Sequence, residues 1–191
     1  MNLPNSWESV TIAQYHKLIS IFSVYKEVIE RDIHLLTLFS GKPMVEIEAI
    51  TGKDFVAHAS KLKFLYDLPD GKVTTHFELK DKKYRACILT EDMKAGQFID
   101  FSNCGKGASA EEIPYHMHEL IACMCQQQVD GKYVYVPYNK TSDDFLDMPM
   151  STAYPYYVFF CNVLRNLQQP ILDYSLKIAK REMKKVEIML A

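Results

Sequence analysis

An excess of charge of one sign is the first thing missing from the sequence. Its 22 Lys and Arg stand against 24 Asp and Glu, for a formal net charge of -2 and a pI near 6.3. A chain so balanced projects no field that gathers phosphate backbones, which disfavours general nucleic-acid binding. A phosphate cradle is missing too. Gly105-Lys106-Gly107 lacks the four residues that a P-loop places between its first glycine and its Gly-Lys-Ser/Thr end. No apolar run is long enough to span a bilayer: the densest, Tyr154 to Leu164, would rise about 17 Å as a helix, where roughly 20 residues are needed. The start, Met1-Asn-Leu-Pro-Asn-Ser-Trp7, has neither the basic residues nor the apolar run of a signal peptide, so a protein that remains in the cytosol is expected. The five cysteines, Cys87, Cys104, Cys123, Cys125 and Cys161, are odd in number and sit mostly among apolar residues. They suit reduced thiols used as small hydrophobes and imply no disulfide framework. Internal repeats, low-complexity tracts and polar, aromatic-poor tails are absent as well. A single domain over 1–191, ordered nearly end to end, is therefore expected.

What is present is apolar and aromatic: 48% hydrophobic residues, with 12 tyrosines and 10 phenylalanines. Nine of the eleven residues from Tyr154 to Leu164 are apolar or aromatic, which predicts a core helix buried on all sides. Ser151 and Thr152 are its expected N-caps, and Pro155 is tolerated in its first turn.

The first seventy residues read as a helical layer, 8–68. Thr11 precedes Ile12, Tyr15, Leu18, Ile19 and Phe22, an N-cap ahead of one helical stripe. A second helix from about Glu27 to Ser40 carries Ile29, Ile33, Leu36 and Leu38 on its expected buried side and stops at Gly41. Met44 to Ile50 is a short helical turn. Asp54 opens a third helix through Phe55, Ala59, Leu62 and Leu65, ended by Leu68-Pro69-Asp70-Gly71.

The period changes at Val73, opening a sheet region over 72–137. Val73, Thr75, Phe77 and Leu79 alternate with polar neighbours, and after a turn at Asp81 and Lys82 so do Tyr84, Ala86 and Ile88, the pattern of a hairpin. Gln97 to Phe101 reads as a further strand or extended approach, Asn103 to Ala110 as a loop, and Glu111 to Gln128 as a strongly buried helix. Lys132 to Pro137 is strand-like, and Thr141 and Ser142 cap a short helix at Asp143 to Leu146. These assignments predict an α+β fold: a helical layer, a small antiparallel sheet with a hairpin, and a C-terminal helical pair over 151–190.

The last predicted helix has a regular seam. Leu172, Leu176, Ala179, Met183, Val186 and Leu190 are spaced four, three, four, three and four, with Asp173, Lys180, Glu182 and Glu187 on the flanks. Such a seam, under three heptads long, packs either on its own domain or on a partner. As candidate partner-binding residues it offers Leu172, Leu176, Met183, Val186 and Leu190.

Candidate chemistry is sparse. On a helix, His116, Glu119 and Cys123 share one face, while His118 points elsewhere. The second histidine of the helical zinc-protease motif is missing, and Cys123 and Cys125 point to different faces, so packing is the expected role and no metal is assigned. Cys104 is the one cysteine in a polar, glycine-rich setting beside Lys106, but no histidine is identifiable that would orient it as a nucleophile. Glu91, Asp92 and Asp100, and Asp143, Asp144 and Asp147, are expected as solvated or helix-capping acids. The tyrosines are interleaved with acids as often as with bases, which fits protein interfaces better than a base-stacking surface. No catalytic residue and no cofactor is assigned.

The stretches Trp7 to Leu18, Leu36 to Gly41, Asp54-Phe55 to Leu65 and Gly96 to Asp100 resemble structural and morphogenesis proteins of tailed bacteriophages, a group that includes tail-assembly chaperones, baseplate-hub proteins and tail or neck ring proteins. The resemblance covers about residues 5 to 125 and does not reach the C-terminal seam. It implies a non-enzymatic component of the tail, neck or baseplate, in contact with other phage structural proteins and with copies of itself. The expected location is the host cytoplasm during assembly and the virion afterwards. A transient tail-assembly chaperone is the alternative, and a small metal- or thiol-dependent enzyme is the alternative from another class.

Overall fold

The computed structural model describes residues 1–88, 92–104, 106–163 and 165. The chain divides into two compact units, Met1–Tyr157 and Val158–Ala191.

The first unit is α+β. It begins with a single helical turn at Trp7–Ser9, then α1 (Ile12–Val24), α2 (Val28–Ser40), α3 (Met44–Glu48) and α4 (Gly52–Lys61). Thr11 caps α1 as expected, and does so reciprocally. Its Oγ1 accepts from the Gln14 N-H at 3.3 Å while the Gln14 side chain accepts from the Thr11 N-H at 3.0 Å, so two otherwise free donors are satisfied. Gly41 ends α2 at φ 67°, a left-handed conformation that costs glycine nothing. α4 opens two residues earlier than its first acid suggested, because Thr51 is the cap and accepts from the Asp54 N-H.

α2 departs from the sequence reading. Leu35 and Leu36 are buried, whereas Ile29, expected on the inner side, is 68% exposed. α4 likewise has no fully buried residue, and Leu62 and Leu65, both buried, fall in the turn after it.

Four strands follow as an antiparallel meander: β1 (His76–Leu79), β2 (Lys82–Ala86), β3 (Cys125–Val129) and β4 (Lys132–Val134). Leu79 pairs with Lys82, so the first hairpin turns on Lys80 and Asp81, one residue before the expected place. Both have positive φ, 51° and 59°, which is what a two-residue turn requires if its twist is to match the strands. The second hairpin turns on Asp130 and Gly131, with Val129 opposite Lys132.

Two segments correct the sequence reading. Gln97 to Phe101 lies within a helix, α5 (Ala95–Asn103), that buries Gln97 and Phe101, residues one turn apart. The helix expected from Glu111 to Gln128 is far shorter. A tight turn at Ile113–His116 leads into α6 (Met117–Cys123), and the chain then extends into β3. Asp130-Gly131 dictates that outcome, since a two-residue hairpin needs a strand on each side. The short helix α7 (Ser142–Phe145) forms after Thr141, but no side chain caps it.

The core lies where the sheet meets α7 and the following helix. Tyr84 packs edge-on to Phe145 with centroids 5.0 Å apart, and Phe77 stands 5.5 Å from Tyr84 and 5.4 Å from Tyr156. The Tyr156 hydroxyl donates to the Thr74 carbonyl, which ties the helix to the approach of β1. A backbone ladder joins the N-terminal segment to the same region: Met150 N donates to Val10 O at 2.7 Å and Ile12 N to Met148 O at 3.1 Å.

Residues 150–157 are helical, so Ser151 and Thr152 lie inside the first turn and do not cap it. In the second unit, 158–163 and 165 are helical. The expectation of burial on all sides is corrected there, since Phe160 is buried but Val158 and Asn162 are exposed. The seam from Leu172 to Leu190 lies outside the described residues. Among those described, no helix is long and apolar enough to cross a membrane.

Candidate functional site

Two surface features stand out, one polar and one apolar. The polar one is a cleft of about 500 Å³ lined by Cys104, Lys106, Glu112, His116, Glu119 and Tyr138 among others. Three elements build it. Cys104 directly follows α5, the turn through Lys106 and Gly107 forms one wall, and the Ile113–His116 turn and α6 supply His116 and Glu119 in succession. Glu119 Oε2 accepts from His116 Nδ1 at 2.7 Å and, weakly, from Cys104 Sγ at 3.9 Å.

The sequence placed His116, Glu119 and Cys123 on one helical face, and the structure brings His116 and Glu119 together. It adds Cys104, which no local spacing connects to them. The Cys123 thiol is fully buried. A hydrogen bond with Cys104, together with burial, pushes its pKa up. His118 points away, as expected, and packs against His16.

The carboxylate standing between imidazole and thiol governs what the cleft can do. A thiol nucleophile needs a neighbour that takes its proton or stabilises the thiolate. Here the Glu119 carboxylate, and not the His116 imidazole, contacts the Cys104 thiol. Among the described residues, no group of three or more His, Cys, Asp or Glu side chains is placed to hold a metal ion.

The other acids are used locally. Asp144 and Asp147 pair with Lys80 and Lys82 at the turn of the first hairpin, at 2.6 to 3.7 Å. Asp100 accepts from the Tyr135 hydroxyl, while Asp92 and Asp143 are exposed. Glu91 lies outside the described residues, as do Leu172, Leu176, Met183, Val186 and Leu190.

The apolar feature is a groove of about 610 Å³ between α2 and α4, lined by Val28, Ile29, Phe55, Val56, Ala59 and Tyr66 among others. Ile29 and Val56 are 68% and 63% exposed. Tyr66 is held firmly: its hydroxyl donates to Asp32 Oδ1 at 2.7 Å, and the Arg31 guanidinium lies 4.9 Å from its ring centre. Sequence reading missed this groove, because apolar spacing marks the faces of α2 and α4 without saying whether anything covers them.

The class defined by the fold is thus an α+β domain with N-terminal helices and a four-stranded antiparallel meander. No family model matches the chain, and neither a curated protein nor a solved structure does.

Proposed function

We propose that this chain is a non-enzymatic structural component of the tail, neck or baseplate of a tailed bacteriophage, acting through contacts with other phage structural proteins and with copies of itself. The observation that carries the reading is the groove between α2 and α4, where apolar side chains from two helices lie open to solvent side by side. Scattered apolar residues are normal on a surface, but a continuous apolar groove with a fixed aromatic wall is the mark of an interaction site. The resemblance of residues 5 to 125 to phage morphogenesis proteins supplies the setting. The protein would work in the host cytoplasm during assembly and then in the virion.

Mass spectrometry of purified virions tests this. Stoichiometric presence in the particle supports the reading. Presence in infected-cell lysate with absence from the particle replaces it with the transient tail-assembly chaperone.

One observation favours a reading of another class, a thiol-dependent enzyme: Cys104, His116 and Glu119 converge on one cleft. That reading requires Cys104 to react with iodoacetamide at neutral pH faster than a free cysteine does. A slower reaction removes it.

A further inference from the structure

We infer that the groove between α2 and α4 receives the C-terminal segment, residues 172–190, of a second copy of this chain, giving a head-to-tail contact. The inference rests on the reading of the chain as an assembly protein and names the partner of that groove.

Shape and charge support it independently. Among the described residues nothing covers Val28, Ile29 or Val56, and α4 has no fully buried residue, so its apolar stripe is available. The sequence of the segment provides the complement. Leu172, Leu176, Ala179 and Met183 fall at i, i+4, i+7 and i+11, the anchor spacing with which an amphipathic helix enters an apolar groove.

The rim adds direction. The groove and the adjoining hollow on α2 carry Glu27, Glu30, Asp32 and Asp67 against Lys63 and against Arg31 on the Tyr66 wall, an acidic excess of two. The segment carries Lys177, Lys180, Arg181, Lys184 and Lys185 against Asp173, Glu182 and Glu187. An acidic rim facing a basic segment favours this register and disfavours pairing of two basic segments with each other.

Because groove and segment differ, the contact is heterologous. Each copy offers one of each, so copies add on in a chain that closes into a ring or continues as a filament.

Sedimentation velocity on the full chain tests the inference, with two double variants whose circular dichroism matches the wild type. Ile29→Asp with Val56→Asp spoils the groove, and Leu176→Asp with Met183→Asp spoils the segment. The wild type is expected to self-associate, and each variant alone to do so at least about 100-fold more weakly, since each sets carboxylates into an apolar contact. Mixed one to one, the two variants are expected to give a dimer and nothing larger, because one intact groove then meets one intact segment. Should the groove variant fold poorly, Glu27→Lys with Glu30→Lys on the exposed rim replaces it and is expected to weaken association severalfold at low salt.

A wild type that stays monomeric overturns the inference. A groove variant that associates like the wild type also does so, and assigns the groove to the same chain's own segment or to a different protein. Variants that remain monomers when mixed overturn it in favour of segment pairing with segment. None of these outcomes depends on virion content, so the proposed function and the head-to-tail contact can fail separately.

Discussion

The imidazole of His16 on α1 stands edge-on to that of His118 on α6, with ring centroids 5.5 Å apart and planes at 63°. His16 Nε2 and His118 Nδ1 are both buried and have no hydrogen-bond partner among the described residues. Burial first, then the neighbouring His118, lower the His16 pKa to about 4, and burial lowers that of His118.

A pH dependence follows. A histidine whose folded pKa lies below its unfolded value binds fewer protons when folded, so stability rises with pH between the two values. The contribution is complete above about pH 6.5, is lost as the pH falls toward 4, and is constant below that. Because His16 is only half-buried, the loss by pH 4.5 is expected to be about 1–2 kcal/mol after allowance for screening. Urea unfolding of the wild type and of His16→Phe at pH 7 and 4.5 measures it, since the carboxylates common to both proteins cancel. Equal pH slopes for the two would refute the assignment.

Gly71 and Gly41 should respond differently to alanine. A Cβ on Gly71 would lie 2.3 Å from the Ser151 carbonyl oxygen and 2.9 Å from Pro155 Cγ, so backbone would have to move. A Cβ on Gly41 meets nothing within 4 Å but must adopt φ 67°. Gly71→Ala is expected to cost about 2–3 kcal/mol through overpacking, and Gly41→Ala about 1 kcal/mol through backbone strain alone. Thermal or urea unfolding orders them, and a milder effect at Gly71 would mean that this close approach is wrong.

Features fixed by one or two adjacent residues were legible in the sequence. Thr11 announced the start of α1, Gly41 the end of α2, and the alternation of Phe77, Leu79, Tyr84 and Ala86 the first hairpin. Features decided by a tertiary choice were not. The run from His116 to Cys125 fits a helix by period, and only Asp130-Gly131 shows that the chain must already be extended before Val129. The Cys104–Glu119 contact joins two elements that no spacing links, and exposure of Ile29 depends on what fails to pack against α2.

The first hairpin is open to improvement. Lys80 and Asp81 both hold positive φ, which is unfavourable for residues with a Cβ, lysine above all. Lys80 gains in return, since its ammonium reaches Asp147 at 2.7 Å. Asp81 is exposed and takes no part in the ion pairs that Lys80 makes. Asp81→Gly is therefore expected to stabilise the protein by about 0.5–1 kcal/mol, visible as a higher urea midpoint with unchanged slope. A lower midpoint would mean that the turn does not take this form.

The thiols test the corrected strand β3. Cys125 lies opposite Ala86 on β2, and the adjoining Cys87 N-H donates to Met124 O at 2.8 Å, so Cys125 is locked inside the sheet. It is buried, and burial holds its pKa well above that of a free thiol; Cys87 is raised by the same cause. Alkylation needs an exposed thiolate, and here both requirements wait on unfolding of the strand. In native protein at pH 8, Cys125 is expected to react at least about 1,000-fold more slowly than a free cysteine, as the population of open states in a stable domain dictates. Its rate should climb with urea below the unfolding midpoint, following the opening of β2 and β3 together. Mass spectrometry of the alkylated peptides reads each cysteine separately. A Cys125 that labels rapidly without denaturant would place it outside the sheet and return the segment to the helix that its apolar period suggested.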